Sequence, residues 1–170
     1  MSNKVLFLDL DGTVRRSKSG ATFINNPDDQ ELIPGVEAVI ARYHDYKIIG
    51  ITNQGGVKAG CKSLEDCFRE QEITLDLIPK MSMIFFCTDG GETFYRLSRF
   101  AKEAGQEPLL SNRWEDFGNF RKPNPGMLNF GISLHPGHKY LMVGDREEDK
   151  QAAMAANINF IDAKEWRNDK

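Results

Sequence analysis

The chain has 170 residues, of which 40% are apolar and 28% charged, enough to bury a core of ordinary domain size and too apolar for a disordered chain. A formal charge of -3 argues against a non-specific nucleic-acid binder, which carries an obvious basic excess, although a local basic groove is compatible with it. No apolar run approaches the ~20 residues of a bilayer span, and Ser2-Asn3-Lys4 opens the chain without a signal peptide's apolar core, so a cytoplasmic protein with no membrane partner is expected.

Val5-Leu6-Phe7-Leu8 reads as a strand buried on both faces of a parallel sheet, because it is apolar without alternation. It ends at Asp9-Leu10-Asp11-Gly12-Thr13, which places two carboxylates where such sheets bind ligands, with a glycine to turn the chain away. Like charges so close need a cation, a shared proton or a lysine. Magnesium, which takes carboxylate, phosphate and water oxygens, is the simplest partner; an ordinary Asp-Gly turn is the plain alternative. The following stretch to Asp29 has no sustained period and is expected to be a long loop, with Arg15, Arg16 and Lys18 on a solvated face or as a second anion contact.

Pro34-Gly35 opens a helix that buries Val36, Val39, Ile40 and Tyr43 on one face, with His44 as a C-terminal residue. The strand Lys47-Ile48-Ile49-Gly50-Ile51 then delivers Thr52-Asn53-Gln54-Gly55-Gly56, a hydroxyl, amides and glycine-exposed N–H groups suited to an anionic oxygen. Ser63-Leu64-Glu65-Asp66 resembles a capping box ahead of an apolar face through Cys67, Phe68, Leu75 and Ile78. Met83-Ile84-Phe85-Phe86-Cys87 is a third buried strand, and Asp89 in the Gly-rich turn after it is expected to serve the turn. Cys61, Cys67 and Cys87 match neither a disulfide framework nor a zinc knuckle, and reduced, mostly buried thiols are expected.

The spacing of Phe94, Leu97, Phe100, Ala101 and Ala104 predicts an amphipathic helix stopped by Gly105, and Trp114, Phe117 and Phe120 are expected to pack an irregular loop onto the sheet, with a substrate-facing aromatic wall as the alternative. In Arg121-Lys122-Pro123-Asn124-Pro125-Gly126, Asn124 is a candidate N-cap with Pro125 at the first helical position, so Lys122 stands just before a positive helix end. Tyr140-Leu141-Met142-Val143-Gly144-Asp145 repeats the opening pattern. It adds Asp145 as a candidate metal ligand, Arg146 as a phosphate contact, and Asp149 as a group that orients Lys122 or a metal-bound water. A helix from about 148 to 156 and a strand Ile158-Asn159-Phe160-Ile161 lead into a polar tail without functional signal.

Asp9-Leu10-Asp11-Gly12-Thr13, Thr52-Asn53, Lys122, and Gly144-Asp145 with Asp149 together resemble the four ordered motifs of the haloacid dehalogenase superfamily of phosphohydrolases, across residues 5 to 149. Thr52-Asn53-Gln54, Arg121-Lys122-Pro123 and Val143-Gly144-Asp145 are similar to the histidinol-phosphatase and heptose-bisphosphate phosphatase branch, and polynucleotide 3′-phosphatases share much of the pattern. The resemblance implies a three-layer, Rossmann-like α/β fold with a mainly parallel sheet. It also implies Asp9 as the nucleophile that forms an aspartyl-phosphate, Asp11 as general acid and base, and Thr52 and Lys122 on the phosphoryl oxygens. Asn53, Gln54, Gly55, Arg121 and Arg146 are expected to border the substrate, and magnesium to be held by the Asp9 and Asp145 side chains and the Asp11 carbonyl.

The branch's zinc loop, Cys-x-His followed by Cys-x-Cys, has no counterpart around Cys87, so a structural zinc is not expected. The intervals between motifs leave no room for a large cap, and residues 1–170 are read as a single domain. A small phosphorylated metabolite such as a sugar phosphate is the expected substrate. A nucleic-acid 3′-phosphate, met by a basic rim of Arg15, Arg16, Arg96, Arg99, Arg113 and Arg121, is the alternative, and a non-catalytic phosphate- or metal-binding regulatory module is the alternative of another class.

Overall fold

The computed structural model describes residues 2–103, 105, 109–111 and 114–168. Its strands are β1 (Lys4–Leu8), β2 (Arg15–Arg16), β3 (Glu31–Leu32), β4 (Lys47–Asn53), β5 (Met81–Cys87), β6 (Phe94–Ser98), β7 (Leu109–Ser111), β8 (Lys139–Gly144) and β9 (Asn159–Asp162). Its helices are α1 (Val36–Arg42), α2 (Gly55–Lys58), α3 (Leu64–Leu77), α4 (Arg99–Glu103), α5 (Trp114–Phe117), α6 (Gly126–Leu134), α7 (Glu147–Ala155) and α8 (Ala163–Asn168).

Seven strands form one sheet in the order β7-β6-β5-β4-β1-β8-β9. The five from β5 to β9 are parallel, while β6 and β7 extend the β5 edge in antiparallel pairing. Alternate side chains leave β1 toward opposite faces, and each face is covered, which is why the strand is apolar throughout. Leu6 and Leu8 pack with Val36 and Val39 of α1, Cys67 and Leu75 of α3, and Trp166 of α8. Val5 and Phe7 pack on the other face with Met127 and Leu128 of α6 and Ala152 and Ala153 of α7. The result is the expected three-layer, mainly parallel α/β fold. Between Thr13 and Thr52 lie only a ribbon of β2 with β3, its loop, and α1, and no large cap is present among the described residues.

Several sequence expectations need correction. Residues 94–98 are a strand, not part of a helix: Phe94 packs against Phe85, Phe120 and Phe130, while Tyr95 meets Phe68 and Phe86 on the opposite side. Two-sided aromatic burial suits a strand, so the i, i+3 spacing of Phe94 and Leu97 misleads. The short α4 follows and leaves Phe100 72% exposed, so Phe100 is no core residue; Ala104 lies outside the described residues. Helix α6 begins at Gly126 with Pro125 in the cap position, and the Asn124 amide instead donates to the Arg121 carbonyl. Residues Trp114–Phe117 form the short α5 and not an irregular loop, and the polar tail, for which no element is predicted, carries α8 with Trp166 buried against the core. A further correction, Arg15, belongs to the site.

Other expectations hold. Ser63 caps α3 through the Asp66 N–H at 3.0 Å. Asp89 accepts from the Gly91 N–H and the Thr93 hydroxyl, which is a turn role. Phe117 and Phe120 pack inward, whereas the Trp114 side chain lies outside the described residues. Among the described residues no helix is long and apolar enough to cross a membrane.

Candidate active site

Parallel pairing sets the carboxyl ends of β1, β4 and β8 side by side, so Asp9, Thr52-Asn53 and Asp145 arrive at one edge of the sheet. The Asp9 N–H extends the ladder to the Val143 carbonyl at 2.9 Å, which fixes where the strand stops. Gly12 then turns at φ 83°, and a Cβ there would stand 2.2 Å from Asp145 Oδ2, so only glycine lets the two loops meet. Arg167 of α8 donates to the Gly12 and Thr13 carbonyls at 3.2 and 2.8 Å and braces this turn from behind. Sequence reading missed it because one arginine in a polar tail carries no signal.

The Asp9 carboxylate is buried. Its Oδ1 accepts from Lys122 Nζ at 2.8 Å and its Oδ2 from the Thr13 hydroxyl at 2.9 Å. Lys122 is buried too, and its ammonium also donates to Asp149 Oδ1 at 2.5 Å and to the Ile51 carbonyl at 3.1 Å. Three acceptors saturate its three N–H groups. Asn53 fixes the approach of that segment by a reciprocal pair, its amide donating to the Lys122 carbonyl at 2.9 Å and its carbonyl accepting the Lys122 N–H at 3.1 Å. Asn53 is thus a scaffold for Lys122. Asp149 is held by the Arg146 N–H and lies against Gly144, where a Cβ would clash at 2.3 Å.

Burial pushes the Asp9 carboxyl up to about 6 against the pull of Lys122, and burial raises Asp149 as well. Burial disfavours the charged Lys122, yet Asp9 and Asp149 together hold its ammonium above the ordinary lysine range. Asp9, exposed Asp145 and Asp149 each present a carboxylate oxygen, all within 4.8 Å of one another. Their only ion pairs among the described residues are with Lys122. Three carboxylates against one ammonium leave a deficit of two positive charges, and the donors are hard oxygens, so the residues fit a divalent magnesium.

Asp11 is bound differently. Arg15 reaches it with Nε to Oδ1 at 2.9 Å and Nη2 to Oδ2 at 3.3 Å, and Gln54 Nε2 donates to Oδ2 at 3.1 Å. Burial works against the Asp11 charge, but the Arg15 guanidinium wins and holds the carboxyl below its ordinary range. The same Gln54 nitrogen donates to the Thr52 hydroxyl at 2.9 Å, and its oxygen accepts from Lys62 Nζ at 2.9 Å. Arg15, expected on a solvated face or as a second anion contact, is instead fully buried, because Glu70, Gln71 and Thr74 of α3 supply the partners that a buried guanidinium requires. Arg16 and Lys18 are exposed as expected, Arg16 pairing with Glu31. The signal for this cluster was present: Glu70, Gln71 and Thr74 share the face of α3 that also buries Cys67 and Leu75.

A cleft of about 670 Å³ opens over these groups, lined by Asp9, Asp11, Thr52, Asn53, Gln54, Gly55, Lys62, Arg121, Lys122, Asp145, Arg146 and Asp149, with Arg16 of β2 and Thr22 and Phe23 of the β2–β3 loop beside them. The Arg121 guanidinium lies over Gly55, where a Cβ would stand 3.2 Å from Nη2. The basic rim is smaller than expected. Arg15 is internal, Arg99 donates to the carbonyls of Leu75, Ile78 and Met81 at the opposite end of β5, and Arg96 lies over the Phe130 ring. Arg113 lies outside the described residues.

Residues 4–148 match the polynucleotide kinase 3 phosphatase family. A D-glycero-alpha-D-manno-heptose-1,7-bisphosphate 7-phosphatase of Burkholderia mallei is 28% identical over 169 residues, 93% of this chain and 78% of that protein. A D-glycero-beta-D-manno-heptose-1,7-bisphosphate 7-phosphatase of Helicobacter pylori is 25% identical over 166 residues, 92% of this chain and 81% of that protein. Among solved structures, the D,D-heptose 1,7-bisphosphate phosphatase of B. bronchiseptica, complexed with magnesium and phosphate, superposes with a TM-score of 0.64 at 24% identity. It covers 94% of this chain and 78% of its own, a likeness of fold.

Proposed function

The chain belongs to the polynucleotide kinase 3 phosphatase family, within the haloacid dehalogenase superfamily of phosphatases, and from that membership we propose a magnesium-dependent phosphomonoesterase that works through an aspartyl-phosphate on a small phosphorylated metabolite such as a sugar phosphate. The observation that carries this reading is the Asp9 carboxylate, which lines the cleft and has one oxygen held by Lys122 and the other by Thr13.

An Asp9 oxygen attacks phosphorus, the ester bond breaks, and Asp11, which must first take up a proton from solvent against the pull of Arg15, delivers that proton to the leaving oxygen. Asp11 then takes a proton from water, which attacks the aspartyl-phosphate, and inorganic phosphate leaves with Asp9 restored. Lys122 offsets the charge of Asp9 and neutralises the transferring oxygens. Thr52 assists: Gln54 donates to its hydroxyl, whose own proton has, among the described residues, only the Asn53 carbonyl at 3.4 Å and is available to a phosphoryl oxygen. Magnesium, held by the Asp9 and Asp145 side chains and the Asp11 carbonyl, would supply screening between the phosphate and its carboxylate attacker.

The named relatives act on the alpha and beta forms of a heptose bisphosphate respectively, so the class of sugar phosphate is carried over and no particular anomer. Dephosphorylation of a nucleic-acid 3′ end is the second reading, favoured by membership of the polynucleotide kinase 3 phosphatase family. The reduced basic rim counts against it, since strand binding rests on phosphate neutralisation. Phosphate release, with magnesium and with chelator, from sugar phosphates, histidinol phosphate, nucleotides and 3′-phosphorylated oligonucleotides tests the proposal. Magnesium-dependent release from the sugar phosphates is expected. Release from the oligonucleotides alone selects the second reading, and no release from any of them or from an aryl phosphate returns the non-catalytic module.

A further inference from the structure

We propose that Arg15 and Glu70 are positioning residues for Asp11, forming a relay from the buried face of α3 to the carboxylate in the cleft. The inference rests on the reading of Asp11 as proton donor. Every N–H of Arg15 is engaged: Nε with Asp11 Oδ1, Nη2 with Asp11 Oδ2 and with Glu70 Oε2 at 2.7 Å, Nη1 with Gln71 Oε1 at 2.9 Å and Thr74 Oγ1 at 2.6 Å. The Glu70 carboxylate takes Lys62 Nζ on its other oxygen at 2.8 Å, and that same ammonium reaches Gln54, which returns to Asp11. The network therefore closes on Asp11 from two sides.

Burial is graded along it. The side chains of Arg15 and Glu70 are 0% and 1% exposed, whereas that of Asp11 is 41% exposed in the cleft. A planar guanidinium locked by α3 cannot turn, and its fork sets the plane of the carboxylate above it. Such support fits a group that must meet a leaving oxygen within a few tenths of an ångström. A buried ion pair is a poor way to gain stability, since apolar residues of similar size do as well. The relay instead gives an accessible carboxylate a fixed direction.

Proton delivery matters most when the leaving group is poor, so the test compares an alkyl phosphate with 4-nitrophenyl phosphate. Glu70→Gln is expected to lower kcat on the alkyl ester about tenfold more than on the aryl ester, with both KM values within about twofold. In an Asp11→Asn background the same substitution is expected to add nothing. Equal losses on both esters, or losses that add to those of Asp11→Asn, would overturn the relay. If Asp11→Asn itself leaves the alkyl-to-aryl ratio unchanged, Asp11 is no proton donor and both readings fall; if only Glu70→Gln leaves it unchanged, the relay alone falls. Thr74→Val removes one brace of Arg15 without touching a charge, and is expected to shift the ratio about threefold in the same direction. Should Glu70→Gln not fold, an unchanged ratio in Thr74→Val overturns the relay.

Discussion

The two aspartates of the first motif, two residues apart, belong to charge clusters of opposite design. Around Asp11, Arg15 and Lys62 balance Asp11 and Glu70, and the cluster is electrically complete. Around Asp9, Lys122 is the one cation among the described residues that pairs with the cluster, meeting Asp9 and Asp149 but not Asp145, and the cluster is short of cations. A completed cluster holds a side chain still, while an incomplete one holds a place for positive charge from outside. On our reading, that difference separates the carboxylate held in place to exchange protons with leaving group and water from the carboxylate that meets metal and phosphorus.

The comparison breaks most directly at Asp9. Asp9→Asn keeps the shape, and Lys122 retains Asp149, so thermal unfolding should remain cooperative. Loss of the nucleophile is expected to cut magnesium-dependent phosphate release by on the order of 10⁴-fold or more. Turnover near that of the natural chain would assign the chemistry elsewhere.

The next largest effect concerns Lys122. Lys122→Met removes the buried ammonium that Asp9 and Asp149 share, and leaves two buried carboxylates uncompensated. In chelator the loss of stability is expected to be about 3–5 kcal/mol, read from urea unfolding. Added magnesium should recover part of it, because an ion that binds only the folded state stabilises that state. A small loss that magnesium does not change would show that the Asp9 cluster is not short of positive charge.

The legibility of the two clusters in the sequence differed for a physical reason. Two members of the Asp9 cluster stand at strand ends, where a carboxylate interrupts an apolar run, and such interruptions are visible one motif at a time: Asp9 follows β1 and Asp145 follows β8. The Asp11 cluster joins Arg15 to partners 55, 56 and 59 residues later, and nothing near Arg15-Arg16 distinguishes a buried arginine from an exposed one. Only the polar residues on the packed face of α3 hinted at it. The layered fold was readable from β1, β4, β5 and β8 because each is apolar without alternation. The strand at Phe94–Ser98 was not, since Phe94 and Leu97 also satisfy helical spacing, and it is the pairing with β5 that decides between them.

The smallest effect sharpens the comparison furthest. Asp145 is exposed, forms no ion pair among the described residues, and is met by the Thr13 hydroxyl at 3.4 Å and by the neighbouring Asp9 carboxyl. Asp145→Ala should therefore change stability in chelator by no more than about 0.5 kcal/mol, as exposed substitutions do. Removing one of three crowded carboxylates also relieves repulsion. With magnesium the outcome should reverse: the natural chain gains stability from the ion, about 2.7 kcal/mol at a hundredfold excess over the dissociation constant, and the variant loses most of that gain. A residue whose removal costs nothing alone and removes the response to magnesium is one kept for the ion. A variant that loses stability in chelator and still responds to magnesium would place Asp145 with the framework, and the metal on other groups.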